Sequence, residues 1–394
     1  MSQLLFIGIF AVSGALIAYA YVGYPFLVWL FSRCFGRSPS PSAQASELPS
    51  VSLLIAAHNE EFVIGERIEN ALALDYPPEM LEIVVASDGS SDGTNDIVRR
   101  YKHRGVKLVD YVERQGKTSV LNRTIPTLAG EIVLFSDANT FYEPTAARRL
   151  ARWFSDAKVG AVCGRLVLVD PQTGTNVDSL YWRYETFLKK CEGRLGGLLG
   201  ANGAVYAIRK SIYRAIPQNT LVDDFVIPLY AKIATNCQIV YDADAIAHEE
   251  TPKSVRAEFR RRSRIGAGGY QCLVILRRIL SPRYGWTAFT FLSHKVLRWL
   301  CPFFLISLLL SNLVLLNSPI FRSLLAVQIA FYLLAIVVAY VPPQFTLLKP
   351  LRLSTMFVSM NVALLVGFFQ LVLQKQSGTW VRTMRVTDLA PGSE

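Results

Sequence analysis

The sequence predicts an α/β fold with a mostly parallel sheet, joined to one N-terminal and about three C-terminal transmembrane helices. Two observations predict the membrane part. Of the 394 residues, 52% are hydrophobic and 18% are charged, whereas about a quarter of the residues of a soluble domain are charged. The apolar residues are also concentrated in long uncharged stretches near the two ends of the chain. A third observation predicts the sheet, because short apolar runs alternate with helix-like segments in the middle of the chain.

The N-terminal transmembrane helix is predicted from residues 4–31, which include no charged residue. At about 1.5 Å per residue, a helix of this length exceeds a hydrocarbon core of roughly 30 Å. The stretch is too long for the apolar part of a signal peptide, and it lacks a small-residue cleavage site. We therefore expect a retained membrane anchor at residues 1–36, followed by a linker rich in Ser and Pro at 37–50.

The predicted sheet domain covers residues 51–254. Its continuous apolar runs predict strands at residues 51–57, 81–86, 106–112 and 132–135, and the intervening periodic segments predict helices at 60–74, 94–101 and 117–128. Continuous rather than alternating hydrophobicity is typical of parallel strands that are covered on both faces. Ligands of such sheets bind beyond the carboxyl ends of the strands.

The C-terminal part is predicted to return to the membrane. Three uncharged stretches, at residues 299–316, 323–348 and 353–374, predict a transmembrane region at 299–374. The segment before it, residues 255–298, is rich in basic residues and predicts interfacial helices, and a tail follows at 375–394.

The net charge of +11 could attract nucleic acid, an anionic membrane surface or an anionic substrate. The basic residues cluster beside the apolar stretches, which favours membrane lipids as partners and predicts no nucleic-acid partner. By the positive-inside rule, the middle of the chain lies in the cytoplasm of a multi-pass protein in the inner (plasma) membrane. Three C-terminal crossings would place the tail outside, whereas Lys375, Arg382 and Arg385 favour the inside, and both orientations stay open.

Polar residues follow three of the predicted strands. Asn59 and Glu60 come after the first strand, Asp88 ends the second, and Asp137 and Asn139 follow the fourth. Each group has an alternative interpretation as turn chemistry. Because the carboxyl ends of parallel strands share one edge of a sheet, three such groups together indicate a site.

The residue types at this edge predict a divalent cation and a phosphorylated ligand. Asp137 and Asn139, two positions apart, offer oxygen atoms that can reach one ion. Mg²⁺ and Mn²⁺ prefer oxygen ligands, and Mg²⁺ often combines one or two carboxylates with substrate phosphates. Lys117 could neutralise such a phosphate, and the alternative for Lys117 is a solvated surface lysine.

Two later motifs carry charges that fit the same chemistry. Asp223 and Asp224 stand in an apolar setting, where a buried carboxylate has a raised pKa and can act as a general base. The alternative for one of them is a helix N-cap. Farther on, Arg264 closes a run of arginines that could bind phosphate oxygens or lie among lipid headgroups.

Taken in order, these motifs resemble those of the inverting family-2 glycosyltransferases, which have a Rossmann-like GT-A fold. The likeness covers roughly residues 51–264 and is strongest to the membrane-embedded synthases of cellulose, hyaluronan, chitin oligomers and poly-N-acetylglucosamine. It is carried by the stretches VSLLIAAHNEE, VVASDGSSDGT, GKTSVLNR, FSDANT, GANGAVYAIRK and VDD. They are similar to the family's two nucleotide loops, its GKxxALN, DxD and GAxxAxR elements, and its TED or GDD motif, which carries the catalytic base.

The resemblance implies a role for each matching residue. Asp224 would be the catalytic base, and Asp137 and Asn139 would hold Mg²⁺ or Mn²⁺. The residues implied to bind the nucleotide sugar are Ala57, Asn59, Glu60, Asp88, Lys117, Ser136, Asp137 and Arg264. Those implied to bind the acceptor are Gly200, Asn202, Gly203 and Asp223.

The implied function is transfer of a sugar from a nucleotide-sugar donor, expected to be a UDP-sugar, to a growing polysaccharide or glycan acceptor. The transfer inverts the anomeric centre and forms a β-bond at the cytoplasmic face. A single transfer to a lipid-linked acceptor, such as a polyprenyl phosphate or glycolipid, is the alternative, because Ile265 stands where processive synthases have Trp. Other polysaccharide synthesis or export subunits could be partners, and an inactive scaffold of an export complex is a second alternative.

Overall fold

The computed structural model describes residues 2–41, 48–169, 180–201, 203, 205–250, 255–341 and 350–375. These residues form two compact units. The helical unit comprises the described residues within 2–27, 258–273 and 291–375, and the sheet unit comprises those within 28–257 and 274–290.

The sheet unit contains a mixed sheet of eight strands. They are β1 (Val51–Ala57), β2 (Leu81–Asp88), β3 (Val106–Tyr111), β4 (Ile132–Asp137), β5 (Thr140–Tyr142), β6 (Val159–Val169), β7 (Tyr206–Arg209) and β8 (Gln238–Glu250). Their order is β3-β2-β1-β4-β7-β6-β8-β5. The first four strands of this order are parallel. Beyond them, β7 is antiparallel to β4 and β6, β8 is parallel to β6, and β5 is antiparallel to β8.

The parallel half of the sheet confirms the predicted α/β fold. All seven residues of β1 are buried, as its continuous hydrophobicity implies. Val51 of β1 pairs with Leu81 of β2 and with Ile132 of β4. The three strands therefore begin in line, and their carboxyl ends lie side by side at one edge of the sheet.

Thirteen α-helices are described. They are α1 (Ser2–Ala18), α2 (Tyr24–Cys34), α3 (Ile64–Leu72), α4 (Thr94–Arg100), α5 (Lys117–Thr124), α6 (Ala146–Ala151), α7 (Leu180–Leu195), α8 (Asp223–Thr235), α9 (Val255–Ile275), α10 (Trp286–Thr290), α11 (Leu297–Val314), α12 (Pro319–Ala339) and α13 (Arg352–Val372). Helices α3, α4 and α5 confirm the three predicted between the parallel strands. The buried stripe of α3 consists of Ile64, Arg67, Ile68 and Ala71, which is the spacing of one helix face.

Among the residues that the structure describes, four helical stretches are long and apolar enough to cross a membrane: Gln3–Cys34, Trp286–Val314, Pro319–Ala339 and Arg352–Val372. This finding confirms one N-terminal and three C-terminal candidate spans. The second stretch begins at Trp286 rather than at the predicted residue 299, because Lys295 and Arg298 interrupt the uncharged run without interrupting the helix.

Candidate functional site

The carboxyl ends of β1, β2 and β4 bring predicted site residues to one edge of the sheet. Ala57 of β1 pairs with Ser87 of β2, and Ala56 pairs with Asp137 of β4. Asp88 is the last residue of β2, and Asp137 is the last residue of β4. The two acids come from separate stretches of sequence and lie at the same edge.

The loop after β1 is fastened to the loop after β2. Asn59 adopts a left-handed φ of 56°, and its Oδ1 accepts a hydrogen bond from the Ser91 N–H at 2.8 Å. The Glu60 N–H donates to Thr94 Oγ1, also at 2.8 Å. These bonds fix Asn59 and Glu60 just beyond Ala57, which is fully buried. The contacts of these three residues with a donor stay predictions.

Asp88 holds the loop that leads into α5. Its two carboxylate oxygens accept hydrogen bonds from the Gln115 and Gly116 N–H groups, each at 2.8 Å. The residue is only 1% exposed. Asp88 therefore sets the position of Lys117, the first residue of α5, and its predicted contact with a nucleotide stays a prediction.

Lys117 joins two parts of the predicted site. Its Nζ lies 2.7 Å from Asp137 Oδ1 and 3.2 Å from Asp223 Oδ2. Burial lowers the pKa of Lys117, but the Asp137 carboxylate and then that of Asp223 raise it, and the net pKa lies above the ordinary value. The ammonium group is therefore charged, and the alternative of a solvated surface lysine is wrong.

The stretch GKTSVLNR also fastens the chain that precedes Asp223. Thr118 Oγ1 donates to the Thr220 carbonyl at 3.1 Å. Asn122 Nδ2 donates to the Ile216 carbonyl at 2.8 Å, and the Ile216 N–H donates back to Asn122 Oδ1 at 3.1 Å. Helix α5 thus places its lysine at the site and anchors the segment that brings Asp223 to it.

Asp223 and Asp224 are the first two residues of α8. Asp224 Oδ2 accepts a hydrogen bond from the Gly203 N–H at 2.5 Å. The N-cap of this helix is Val222, which makes no side-chain capping bond. The N-cap alternative for either acid is therefore wrong, and both carboxylates lie in the positive field of the helix N-terminus.

The pKa of Asp224 is raised above its ordinary value. Burial is the largest cause, followed by the negative charge of Asp223. The Gly203 hydrogen bond and the charges of Lys117 and Lys189 oppose the shift. A carboxylate with a raised pKa holds a proton more readily, which suits a general base.

The predicted acceptor loop packs against the start of α8. Gly200 has a φ of 127°, and a Cβ atom there would lie 3.3 Å from the Phe225 Cα. Gly203 donates to Asp224, as described above, and has a φ of 51°. Asn202, also predicted to bind the acceptor, lies outside the described residues. The acceptor roles of these residues and of Asp223 stay predictions.

Gly200→Ala is expected to lower both stability and activity. The substituted residue would adopt a strained φ and press on Phe225, at a cost of roughly 1–3 kcal/mol. Thermal unfolding in detergent and transfer assays measure the two effects. Gly105→Ala is the matched control, because Gly105 has a φ of 86° but no atom within 4 Å of the added Cβ. Equal activity in the two variants would contradict the steric argument.

Asp137 and Asn139 could supply oxygen ligands to a cation. The Asp137 side chain is 34% exposed, whereas Asn139 is buried and its Nδ2 donates to Glu249 Oε1 at 3.2 Å. Within the described residues, no group of three or more His, Cys, Asp and Glu side chains could hold a metal. A cation at this pair would therefore need further ligands from a substrate.

Two buried side chains beside the site were not predicted. Arg67 of α3 is 0% exposed and bonds to Ser136, the residue before Asp137. Tyr206 of β7 stacks on Phe135, with ring centroids 4.3 Å apart. The Tyr206 hydroxyl is buried and has no hydrogen-bond partner among the described residues. A charged residue within an apolar helical stripe could have indicated Arg67, but nothing in the strand pattern distinguishes Tyr206.

Arg264, predicted to bind the donor diphosphate, lies on α9 in the helical unit. Its role stays a prediction. The next residue, Ile265, is 47% exposed.

Comparison with solved structures supports the fold. The chain resembles the mannosyltransferase PcManGT from Pyrobaculum calidifontis, solved in complex with GDP-Man and Mn²⁺, with a TM-score of 0.72. The similarity covers 93% of this chain and 99% of that chain at 20% identity. At this identity the likeness concerns the fold, and it confirms the predicted GT-A arrangement.

Comparison of sequences identifies relatives and a family. Over 269 residues the chain is 24% identical to poly-beta-1,6-N-acetyl-D-glucosamine synthase of Staphylococcus epidermidis, covering 65% of this chain and 63% of that protein. It is 29% identical over 237 residues to the probable glycosyltransferase YdaM of Bacillus subtilis, covering 56% of each. The alignments thus span less than two thirds of these relatives. The family model described as "Glycosyltransferase like family 2" matches residues 49–268, more than half of the chain. The chain therefore belongs to glycosyltransferase like family 2.

Proposed function

We propose that the protein is a membrane glycosyltransferase that transfers a sugar from a UDP-sugar to a growing polysaccharide or glycan acceptor. The observation that carries this proposal is the ion-paired group of Lys117, Asp137 and Asp223, with Asp224 beside it. The group lies at the edge where parallel sheets bind ligands. The relatives named poly-beta-1,6-N-acetyl-D-glucosamine synthase support a polysaccharide acceptor.

Asp224 acts as the general base in this proposal. It removes the proton of the acceptor hydroxyl as the oxygen attacks the anomeric carbon of the donor. The bond between that carbon and the donor diphosphate breaks in the same step. A single displacement inverts the anomeric centre, so an α-linked donor gives a β-linked product.

Lys117 stabilises the departing diphosphate. Positive charges placed where negative charge develops lower the barrier to such a step. In the structure the Lys117 ammonium is paired with Asp137 and Asp223. When the donor binds, we expect this ammonium to contact the diphosphate while Asp223 holds it in place.

Asp137 and Asn139 would hold Mg²⁺ or Mn²⁺. Their oxygen atoms suit these ions, which commonly take few protein ligands and complete their shell with phosphate oxygens. The bound ion would add positive charge at the departing diphosphate. The Mn²⁺ in the complex of the Pyrobaculum calidifontis mannosyltransferase supports this cofactor.

The transferase domain, residues 51–254, faces the cytoplasm of the inner (plasma) membrane in this proposal. The positive-inside rule supports this orientation, since Arg33 and Arg37 follow the first candidate span and further basic residues precede the second. Residues 1–36 would then be the anchor, the basic segments between residue 255 and Trp286 would be interfacial, and Trp286–Val314, Pro319–Ala339 and Arg352–Val372 would be the remaining spans. Membrane lipids and other polysaccharide synthesis or export subunits are the proposed partners.

A single transfer to a lipid-linked acceptor is the second candidate function. Ile265 favours it, because this exposed aliphatic residue stands where an aromatic side chain would stack on a polymer sugar. The two functions differ in their products, as a polymer grows through many transfers and a glycolipid through one.

A product-length assay with labelled donors tests the proposal. The detergent-purified chain is incubated with UDP-sugars and GDP-sugars, with Mn²⁺ or Mg²⁺, and with membrane lipid extract as the source of acceptor. Products extended over many sugars from a UDP-sugar support the first function, and a lipid product with one added sugar supports the second. The absence of transfer from every donor, with and without metal, would overturn both.

The pH dependence of transfer should report on Asp224. The base works only when deprotonated, so kcat/KM falls as the pH is lowered through its pKa. Because that pKa is raised, we expect the midpoint above the ordinary aspartate value of about 3.9. Asp223→Asn removes the neighbouring negative charge and should move the midpoint to lower pH. A midpoint that stays in place or rises in this variant would contradict the assignment.

A further inference from the structure

Arg67 is a charged residue inside the buried face of α3. It occupies the same stripe as Ile64 and Ile68 and is 0% exposed. Burial lowers the pKa of its guanidinium to about 10. Arginine is rarely buried to this degree, because removing a charge from water is costly unless hydrogen bonds compensate for it. The contacts that compensate at Arg67 are therefore informative.

The Arg67 guanidinium is directed at the residue next to Asp137. Its Nε and Nη2 both donate to Ser136 Oγ, at 3.1 and 3.0 Å. Its Nη1 donates to Asn70 Oδ1 at 3.0 Å. The group also lies over the Tyr142 ring, 5.2 Å from the ring centroid. Arg67, Asn70, Ser136 and Tyr142 form what we call the Arg67 cluster.

The Arg67 cluster makes hydrogen bonds to the chain on both sides of segment 137–139. Before the segment, the Ser136 hydroxyl donates to the Asp137 carbonyl at 3.0 Å. After it, Asn70 bonds to the Tyr142 N–H and carbonyl, each at 2.9 Å. The Tyr142 hydroxyl donates a hydrogen bond to the Phe135 carbonyl at 2.7 Å. The chain entering the segment and the chain leaving it are thus tied to one buried guanidinium.

We propose that Arg67 is a positioning residue for the cation- and donor-binding segment 137–139, acting through Ser136. The inference rests on the proposed function, which assigns Asp137 and Asn139 to the cation. It also gives Ser136 a new role. This residue is 3% exposed and its hydroxyl is engaged by Arg67 and the backbone, so we infer that it transmits the position of Arg67 rather than contacting the donor.

A purely structural role would give a different result. If Arg67 only stabilised the core, its loss would lower the melting temperature without a specific change in cation affinity. If Arg67 positions segment 137–139, cation affinity falls even when the variant is fully folded at the temperature of the measurement. Residues that orient metal ligands through hydrogen bonds commonly change metal affinity by about 10–100-fold when replaced.

Mn²⁺ binding to the full detergent-purified chain tests the proposal without relying on turnover. Free Mn²⁺ is followed by electron paramagnetic resonance in the presence of UDP or GDP, whichever the wild type binds. Arg67→Met should weaken Mn²⁺ binding about 10–100-fold. Arg67→Lys should bind Mn²⁺ more tightly than Arg67→Met does, since one ammonium can still reach Ser136. Arg148→Met is the control, because Arg148 is exposed and paired with Asp75, and it should bind Mn²⁺ as the wild type does.

Ser136→Ala keeps the test decisive if Arg67→Met does not fold. This variant removes the hydroxyl that joins Arg67 to the segment, so we expect a several-fold loss of Mn²⁺ affinity. It also leaves two N–H groups of the buried Arg67 guanidinium without this acceptor, so the melting temperature should fall as well, and Mn²⁺ binding is measured at a temperature well below it. Wild-type Mn²⁺ affinity in the folded Arg67→Met or Ser136→Ala variant would overturn the inference. Failure of the wild type to bind Mn²⁺ with either nucleotide would instead overturn the assignment of this cation to Asp137 and Asn139, which is the part of the proposed function on which the inference rests.

Discussion

Asp224→Asn is expected to lower the rate of sugar transfer by about 10²–10⁴-fold, the range that a general base contributes. Asparagine has nearly the same shape, and its carbonyl oxygen can still accept the hydrogen bond that Gly203 donates to Asp224. It cannot take a proton from the acceptor hydroxyl at neutral pH. The loss should therefore appear in kcat and leave binding of the donor nucleotide nearly intact.

The measurement for Asp224→Asn pairs two assays on one preparation. Transfer of labelled sugar gives the rate, and titration with the nucleoside diphosphate gives the binding constant. Asp75→Asn is the matched control, because Asp75 is 53% exposed in a surface ion pair with Arg148, and the change should leave transfer unchanged. If Asp224→Asn retained the wild-type rate, another group would have to be the base.

Lys117→Met is expected to cause the second-largest loss, in both stability and transfer. It leaves the Asp137 and Asp223 carboxylates without the ammonium at 2.7 and 3.2 Å. Breaking a fully buried pair in this way costs about 3–5 kcal/mol. Because the Asp137 side chain is 34% exposed, water screens part of the charge, and we expect roughly 2–3 kcal/mol. The lost positive charge should lower the transfer rate by about 10²-fold or more.

Thermal unfolding and transfer assays of Lys117→Met check both effects. Lys107→Met is the control, because the Lys107 side chain is 62% exposed in its pair with Glu82, and such a pair contributes about 0–1 kcal/mol. Lys117→Arg keeps the charge and should retain more stability than Lys117→Met. A melting temperature of Lys117→Met equal to that of the Lys107→Met control would show that the ion pairs of Lys117 with Asp137 and Asp223 do not stabilise the fold.

Local sequence patterns predicted the helix that begins at Lys117 but not the partners of its side chain. The stretch GKTSVLNR indicated a helix that begins near Lys117, and α5 begins at that residue. The same pattern could not distinguish a surface lysine from one at the site. Both carboxylate partners are distant in sequence, and Asp88, Thr118 and Asn122 make the bonds that bring them together. The sheet topology, rather than the helix, decides that Lys117 is part of the site.

Arg67 is a residue whose role at the site no local sequence pattern predicted. The apolar residues around it correctly predicted a helix, because a periodic stripe survives one charged member. Its partner Ser136 lies 69 residues away, on a strand that is not adjacent in sequence. No period or composition links the two, so the buried guanidinium became meaningful only when the fold placed it behind segment 137–139.

The sequence by itself determined the parallel strands β1 to β4, the helices between them, the candidate membrane spans near both ends, and the acids at the strand ends. These features follow from the hydrophobicity and periodicity of single segments, which can be recognised within a short stretch of sequence. Only the tertiary structure decided the mixed half of the sheet formed by strands β5 to β8, the start of the second candidate span at Trp286, and the partners of Lys117, Asp224 and Arg67. Such partners are set by hydrogen bonds and charges between segments that are distant in sequence, and only the folded structure brings these segments together.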